Sequence, residues 1–365
     1  MLEFLALKPE TFSLDISDLS LKIVKLKKEA KTLDLVSFGE MPIELGILKE
    51  GEIRKEKELT ALIKKGLDKV RGEKLKTNYV IASLPEEKAF LEVIQMPKMS
   101  REDLKSAVIY EAENYIPLPI EDVYLDSQVI LPISNHLDHQ DVLIAALPKK
   151  TVDSYLNCLK GAGLQPLALE IESLAIARAL IKDGVSNYPI LLIDLGATRT
   201  SFIIFSGRAL RFTFFIPVSA QKLTEAISQT MGVELAEAEK LKLEYGIETK
   251  ATKEGGQVFE ALIPSLTDLT EQIKKYLDYY QTHSAHEHLP QKVKEVKQVL
   301  LCGGGANLKG LPEYFSEQLK IPVSLGNPWI NILPEAKKSI SGMKFEDSLR
   351  FTTALGLALR GIDAQ

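Results

Sequence analysis

The chain has 365 residues, 45% of them hydrophobic, with 45 Lys and Arg against 50 Asp and Glu for a net charge of -5. That length suits two compact domains rather than one small core, and its basic residues are dispersed among acidic ones, which excludes the cationic stripe of a nucleic-acid-binding surface. Cys158 and Cys302 lack a CxxC spacing, and no stretch reaches the ~18 apolar residues of a membrane span, so a disulfide framework, a thiolate metal centre and a spanning helix are all excluded. These features fit a reducing cytosol, and Met1 to Ala6 lacks the charge and apolar core of a signal segment.

Residues 11–26 read as an apolar run to Asp15, a small polar turn and a second strand. In that second strand Lys22 to Lys28 alternate with Ile23, Val24 and Leu26, which predicts one solvated face. A third strand stops at Pro42, a helix with Leu59 and Thr60 follows, and a buried strand runs from Tyr79 to Leu84. Residues 190–224 repeat the pattern: Ile190 to Asp194, a turn at Gly196 to Thr200, Phe202 to Phe205, a strand ending at Pro217, and a helix with Leu223 and Thr224. The counterpart of the Tyr79 strand is Val299 to Cys302, ending in Gly303-Gly304-Gly305.

Two duplicated α/β units follow from this. The first core subdomain is 1–85, continued by 165–189 and a C-terminal helix at 346–360; the second is 190–224, continued by 291–345. Between the repeated pieces lie an insert at 86–164, with a helix at 149–160 before the Gly161 to Leu164 turn, and a helical insert at 225–290. The helical insert is expected as 234–245 and 265–284, separated by a Gly255-Gly256 turn.

A strand ending in Asp194 and turning at Gly196-Ala197-Thr198 can aim N–H groups and a hydroxyl at a phosphate chain, while the carboxylate orients Mg²⁺ or its waters. A plain hairpin glycine is the alternative at that turn. Gly303, Gly304 and Gly305 let backbone come close to a flat ring or a phosphate, with Leu308 to Leu319 expected as the helix that follows. Glu239 and Lys242 share a helical face; they could meet a ribose and a base, or form a solvated ion pair.

The acidic turns of both halves, Ala238 to Lys242 and Gly303 to Ala306 resemble the phosphate and adenosine motifs of the actin, heat-shock ATPase and sugar-kinase superfamily. Within it, Glu111 to Asp122, Gly163-Leu164 with Glu170 to Ala175, Ile216-Pro217-Val218 and Ile321 to Pro328 resemble the type IV pilus assembly family PilM, over nearly the whole chain. The resemblance implies an actin-like, duplicated ribonuclease-H-like α/β fold with an inserted subdomain in each half, the first of them FtsA-like. It implies ATP with Mg²⁺, carried over to Asp15, Ser17, Lys22, Asp194, Gly196, Ala197, Thr198, Glu239, Lys242, Gly303, Gly304 and Gly305, with Asp15 and Asp194 as the carboxylates nearest the metal. It further implies a cytoplasmic scaffold, peripheral to the inner membrane through partners, that grips the N-terminal tail of PilN and reaches PilO and the assembly ATPase through the same platform. The tail is implied to lie between the first core subdomain and the first insert. Glu111, Tyr115 and Pro117 are the expected partner-binding residues, because prolines end the helix there and leave an acidic and aromatic rim.

The first loop departs from the family pattern, with Ser17-Asp18 where Gly-Ser is usual. Serine in a left-handed turn would cost about 1–2 kcal/mol, and a carboxylate within ~4 Å of a phosphate about 4 kcal/mol. Weak or absent ATP turnover is expected, since no residue stands out to orient an attacking water. An FtsA-like division tether and a sugar-kinase-like phosphotransferase are the alternatives; the chain ends at Gln365 without an amphipathic anchor, and no general base for a kinase presents itself. His136 with His139, and His283 with His286 and His288, read as exposed loops, and Trp329 as a packed side chain.

Overall fold

A computed structural model describes residues 9–29, 32–132, 138–248, 252–283, 295–333 and 342–363. The first half opens with β1 (Phe12–Ile16), β2 (Ser20–Glu29) and β3 (Thr32–Pro42), then a short ribbon of β4 (Leu48–Lys49) and β5 (Glu52–Ile53), helix α1 (Glu56–Leu67), β6 (Arg71–Gly72) and β7 (Tyr79–Leu84). The first insert holds β8 (Phe90–Pro97), α2 (Arg101–Ala112), β9 (Val123–Ile130) and β10 (His139–Pro148). The chain returns through α3 (Lys149–Gly161), β11 (Gln165–Ile171) and α4 (Glu172–Leu180).

The second half has β12 (Ser186–Leu195), β13 (Thr200–Gly207), β14 (Ala209–Ile216), α5 (Ala220–Met231), α6 (Leu235–Tyr245), α7 (Lys253–His283), β15 (Gln298–Cys302), α8 (Leu311–Leu319) and β16 (Val323–Leu325). Helices α9 (Phe345–Leu349) and α10 (Thr352–Asp363) close the described chain.

The duplication is three-dimensional. The six-stranded sheet runs β11-β7-β1-β2-β3-β6 and the five-stranded sheet β14-β13-β12-β15-β16. In each, the first strand of the unit pairs antiparallel with the next and parallel with the later strand that ends in a turn. Strands β1 and β12 are thereby flanked on both edges; β1 buries Phe12, Leu14 and Ile16 on one face and Ser13 and Asp15 on the other, while β12 buries apolar side chains on both. The insert's sheet, β8-β10-β9, stands apart with its own core around Ile94, Val108, Val142 and Ile144.

Several elements differ from the sequence expectation. Helix α3 belongs to the first core and not to the insert, because Val152, Tyr155, Cys158 and Leu159 pack with Leu59 and Ile63 of α1. The glycine pair does not interrupt the helical insert: α7 starts at Lys253 and runs through Gly255, Gly256 and Pro264. Thr252 caps it, its hydroxyl accepting from the Gly255 N–H at 3.0 Å. Burial of Val258, Leu262, Leu266, Leu269, Ile273 and Leu277 at helical spacing then outweighs propensity costs of ~1 kcal/mol per glycine and ~3 for proline. The helix after the triple glycine begins only at Leu311, behind a 3-10 turn at Gly304–Asn307. The C-terminal helix is broken between Leu349 and Thr352, where the Leu349 carbonyl accepts from the Gly303 N–H at 3.0 Å instead of continuing the helix. Lys22 and Lys25 of β2 are buried, 7% and 5% exposed, and do not sit on a solvated face. Trp329 is fully buried in a cluster with Val24 and Leu355. His136, His286 and His288 lie outside the described residues.

Helix α10 crosses α4 so closely that a Cβ at Gly356 would lie 1.8 Å from the Ala175 carbonyl oxygen. Gly356→Ala is therefore expected to separate the helices at a cost of about 2–3 kcal/mol, read as a fall of several degrees in the melting midpoint; an unchanged midpoint would show that the contact does not persist in solution.

Candidate functional site

Where the two halves meet there is a cavity of about 610 Å³, well inside the range of small-molecule sites. It is bounded by the ends of β1 and β12, the turns that follow them, the end of β15, one face of α6, and the break between α9 and α10. Asp15, Ser17 and Lys22 line it from the first half; Asp194, Gly196, Ala197, Thr198, Glu239, Lys242, Gly303, Gly304 and Gly305 line it from the second. Residues far apart in sequence are brought together because each unit ends its central strand at the same level. Asp15 faces Lys22 across β1 and β2, and Asp194 faces Ser201 on β13 and Cys302 on β15.

The electrostatics are those of an acidic cleft with few cations. Asp15 Oδ2 lies 3.5 Å from Lys22 Nζ, while Asp15 Oδ1 is buried without a hydrogen-bond partner. Lys22 Nζ also donates to Ser20 Oγ at 2.7 Å. Burial raises the Asp194 pKa against the pull of Arg199 and Lys22, and Asp15 raises it further. The Cys302 thiol beneath is pushed well up by burial and by Asp194. Such a pair of mutually repelling carboxylates, Asp15 buried with an orphaned oxygen and Asp194 half-buried, fits a hydrated divalent cation.

The glycines have distinct jobs. Gly303, at φ 83, passes so close to Asp194 that a Cβ would lie 2.2 Å from its Oδ1, and a Cβ on Gly305 would meet Leu195 at 2.5 Å. Only at Gly304 does the added atom have room, with its nearest neighbour 3.9 Å away. On α6, Lys242 Nζ donates to Glu239 Oε2 and Thr224 Oγ1, both at 2.7 Å, and to the Ala220 carbonyl at 3.0 Å. All three ammonium protons are thus engaged, so Lys242 holds Glu239 in place while Glu239, half exposed, keeps acceptor capacity towards the cavity.

The Ser17-Asp18 departure is accommodated differently from the sequence expectation. Ser17 is not among the residues with positive φ, so no left-handed strain arises. Its N–H donates to the Ser20 carbonyl at 2.9 Å. Asp18 is tied back to the first half, accepting from the N–H groups of Glu50 at 3.2 Å and Gly51 at 3.1 Å. It nevertheless still lines the cavity.

Sequence reasoning missed the ion cluster beside the site. Arg199, which in the sequence is only one residue of the turn at Gly196 to Thr200, contacts Glu87 at 2.6 Å and Glu172 at 2.5 Å. Burial alone would depress the Arg199 pKa, but Glu172 and Glu87 hold the guanidinium firmly cationic. The Glu172 carboxyl is pushed up to about 8, chiefly by burial, with Arg199 opposing and Glu87 and Asp15 adding to the rise. A guanidinium one residue beyond a phosphate-type turn was the available signal; its acidic partners carry none.

The expected partner residues do not come together. Tyr115 lines a cleft of about 570 Å³ whose other walls are β8, Arg211 to Thr213 on β14, and Tyr279 and His283 of α7. It therefore faces the second half and is not a rim beside the first core subdomain. Glu111 is half-buried on α2 and Pro117 is exposed, and neither lines that cleft. A separate groove of about 350 Å³ runs beside α4, with Leu174, Ala177 and Arg178 on one wall, Val129, Ile130, Leu131 and Leu143 of the insert on another, and Phe205 and Arg208 to Leu210 of the second half completing it. His283 stacks on Tyr279, and no metal-binding cluster occurs among the described residues.

Taken with its fold, this places the chain among the actin-like proteins. MreB5 of Spiroplasma citri, in a structure with bound ADP, superposes with a TM-score of 0.57 over 94% of this chain and 95% of that one, at an identity of 13% that carries the fold alone. More narrowly, the chain belongs to the family of type IV pilus assembly protein PilM, whose model matches residues 13–362. A PilM-PilN type IV pilus biogenesis complex is similar over 98% of this chain and 99% of that one, with a TM-score of 0.79 and 28% identity. Cell division protein FtsA of Neisseria meningitidis serogroup B is 22% identical over 221 residues, 56% of this chain and 50% of that protein. The chain thus spans about half the length of the curated relatives it matches.

Because its folded pKa is raised above the ordinary 4.5, Glu172 contributes stability that is complete below that pH and is lost as pH climbs to about 8. Thermal unfolding followed from pH 5 to 8.5 is expected to show a falling midpoint in the wild type and a flatter profile in Glu172→Gln; parallel profiles would refute the assignment.

Proposed function

We propose that this protein is a nucleotide-binding scaffold of type IV pilus assembly, which holds ATP with Mg²⁺ in the cavity between its halves and an extended tail of PilN in the groove beside α4. The observation that carries the nucleotide reading is the orphaned, buried Oδ1 of Asp15 opposite Asp194, at the floor of a cavity whose rim is the two turns, Gly304 and Glu239. A hydrated Mg²⁺ satisfies that oxygen and offsets the repulsion of the two carboxylates. Lys22 and the backbone of Gly196 to Thr198 then meet phosphate oxygens, and Glu239 accepts from a ribose hydroxyl.

For the tail, the groove between the first core subdomain and the insert is the better fit. In the β8-β10-β9 order, β9 is paired on one side only among the described residues, so its outer edge can take an added strand. Val129, Leu131, Leu143 and Leu174 supply apolar pockets next to it, and Arg178 is held in place by Glu170 at 2.6 and 2.7 Å. Among the described residues no helix is long and apolar enough to cross a membrane. Attachment to the cytoplasmic face of the inner membrane then runs through PilN, with PilO and the assembly ATPase reached through the same platform.

ATP with Mg²⁺ at a hundredfold excess over Kd stabilises the native state by ~2.7 kcal/mol. Wild type is expected to show the corresponding melting shift, and Gly304→Val and Asp194→Ala to lose it; a full shift in both variants would remove the nucleotide from this cavity.

Titration of a labelled PilN tail peptide separates the two clefts. Leu131→Glu, at a position 66% exposed and so free of folding cost, is expected to weaken binding at least tenfold, and Tyr115→Ala to leave it unchanged. The reverse pattern would move the tail to the Tyr115 cleft.

A further inference from the structure

Asp18 bridges the two halves at the phosphate end of the cavity. The wall that would take a nucleoside, Glu239 on α6 and the glycines after β15, belongs to the second half. A nucleotide seated there extends its phosphates towards the first half, and its last phosphate is the one that meets the turn between β1 and β2. Asp18 is in that turn and lines the cavity. Its Oδ2 lies 3.4 Å from the Thr198 hydroxyl of the opposite turn, so the two turns already touch across the cavity. A phosphoryl group cannot enter between atoms this close without displacing one of them.

The carboxylate is held in place. It is 9% exposed and accepts from the N–H groups of Glu50 at 3.2 Å and Gly51 at 3.1 Å. That loop is packed on Pro85, where an added Cβ at Gly51 would lie 2.4 Å from the proline ring. Its charge reaches its neighbours: burial raises the Glu87 pKa and Asp18 adds to the rise. The rest of the turn is engaged within itself. The Ser17 hydroxyl donates to the Ser20 carbonyl at 3.1 Å and lies 2.9 Å from the Ser20 hydroxyl, which in turn accepts from Lys22 at 2.7 Å. Among the described residues, eight carboxylates and four cations line the cavity. Each of the four is already paired with an acid, as Lys22 is with Asp15 and Arg350 with Glu40 and Asp347. Every further negative charge on a ligand is added against a surplus of its own sign.

We propose that Asp18 makes this a nucleoside diphosphate site: its carboxylate occupies the place between the two turns that the terminal phosphate of a triphosphate requires, so ADP with Mg²⁺ is held in preference to ATP with Mg²⁺. This rests on the reading of the cavity as a nucleotide site, and ATP remains a ligand of the same cavity at higher concentration. Discrimination of this kind works by repelling one ligand and not by adding contacts to the other. A carboxylate ~4 Å from one phosphate charge, at an effective dielectric of about 20, weakens binding on the order of a thousandfold. Water at the mouth of the cavity and Mg²⁺ screen part of this, which leaves a preference of about tenfold or more.

Calorimetric titration of ADP and of ATP, each with Mg²⁺, gives the ratio of the two affinities within one protein, so a general loss of stability in a variant drops out of the comparison. Wild type is expected to bind ADP about tenfold or more tightly than ATP, and Asp18→Ser to bring the two to within about threefold. Asp18→Asn keeps an acceptor for the Glu50-Gly51 loop and loses the charge; it is expected to move the ratio in the same direction. Wild type binding ATP as tightly as ADP would overturn the proposal while leaving the nucleotide site standing. A ratio unchanged in both variants overturns it too, and a selective fall of ATP affinity in them would make Asp18 a ligand of the metal instead. If wild type binds neither nucleotide, the reading of the cavity fails and this proposal fails with it.

Discussion

Acidic charge gathered between two folded units is the constraint on which the rest of the molecule depends. Asp15, Asp18, Glu87, Glu172 and Asp194 converge where the halves meet, and the cations that face them are Arg199 and Lys22. Uncompensated carboxylates in such a place would drive the halves apart or take up protons. The molecule meets the excess in three ways: N–H groups cap Asp18, one guanidinium is shared by two acids, and the Glu172 carboxyl is held towards its neutral form. The remaining imbalance is centred on Asp15, whose Oδ1 is buried without a hydrogen-bond partner. An actin-like fold sets this up geometrically, since two copies of one unit that end their central strands together also bring their strand-end acids together.

Much of the fold was legible because its signals are local. Apolar runs ending in Asp15 and Asp194 gave the central strands, and the repeated order of hairpin, proline and helix gave the duplication. The cavity lining was legible for a related reason: turns that follow buried strands are where backbone N–H groups are left unpaired, and glycine clusters mark the places where chain must come close. Gly303 and Gly305 illustrate this, each in a position that has no room for a Cβ.

What escaped the sequence was decided by packing at long range. The allegiance of α3 to the first core depends on α1, nearly a hundred residues earlier, and nothing in its own pattern names that neighbour. The start of α7 turned on whether an apolar stripe would be buried, which overrides glycine and proline punctuation. Ser17 looked strained only on the assumption that its turn is left-handed, which it is not. The partners of Arg199 lie in two segments with no periodic or motif signal, so the ion cluster emerges only when the halves are placed side by side. Tyr115 was sound as an exposed aromatic, at 44%, but the cleft it faces is set by the way the insert leans towards β14.

The break between α9 and α10 has a mechanical consequence. The chain passes from the first half towards the second after α4 and runs back into the first half across this break, which borders the cavity through Leu349, Arg350, Thr352 and Thr353. Two bodies tied at two points cannot slide past one another or separate; what remains is rotation about the line through the ties. A ligand in the cavity therefore sits beside one of these ties, where small displacements of a few side chains correspond to larger excursions at the rim of the halves.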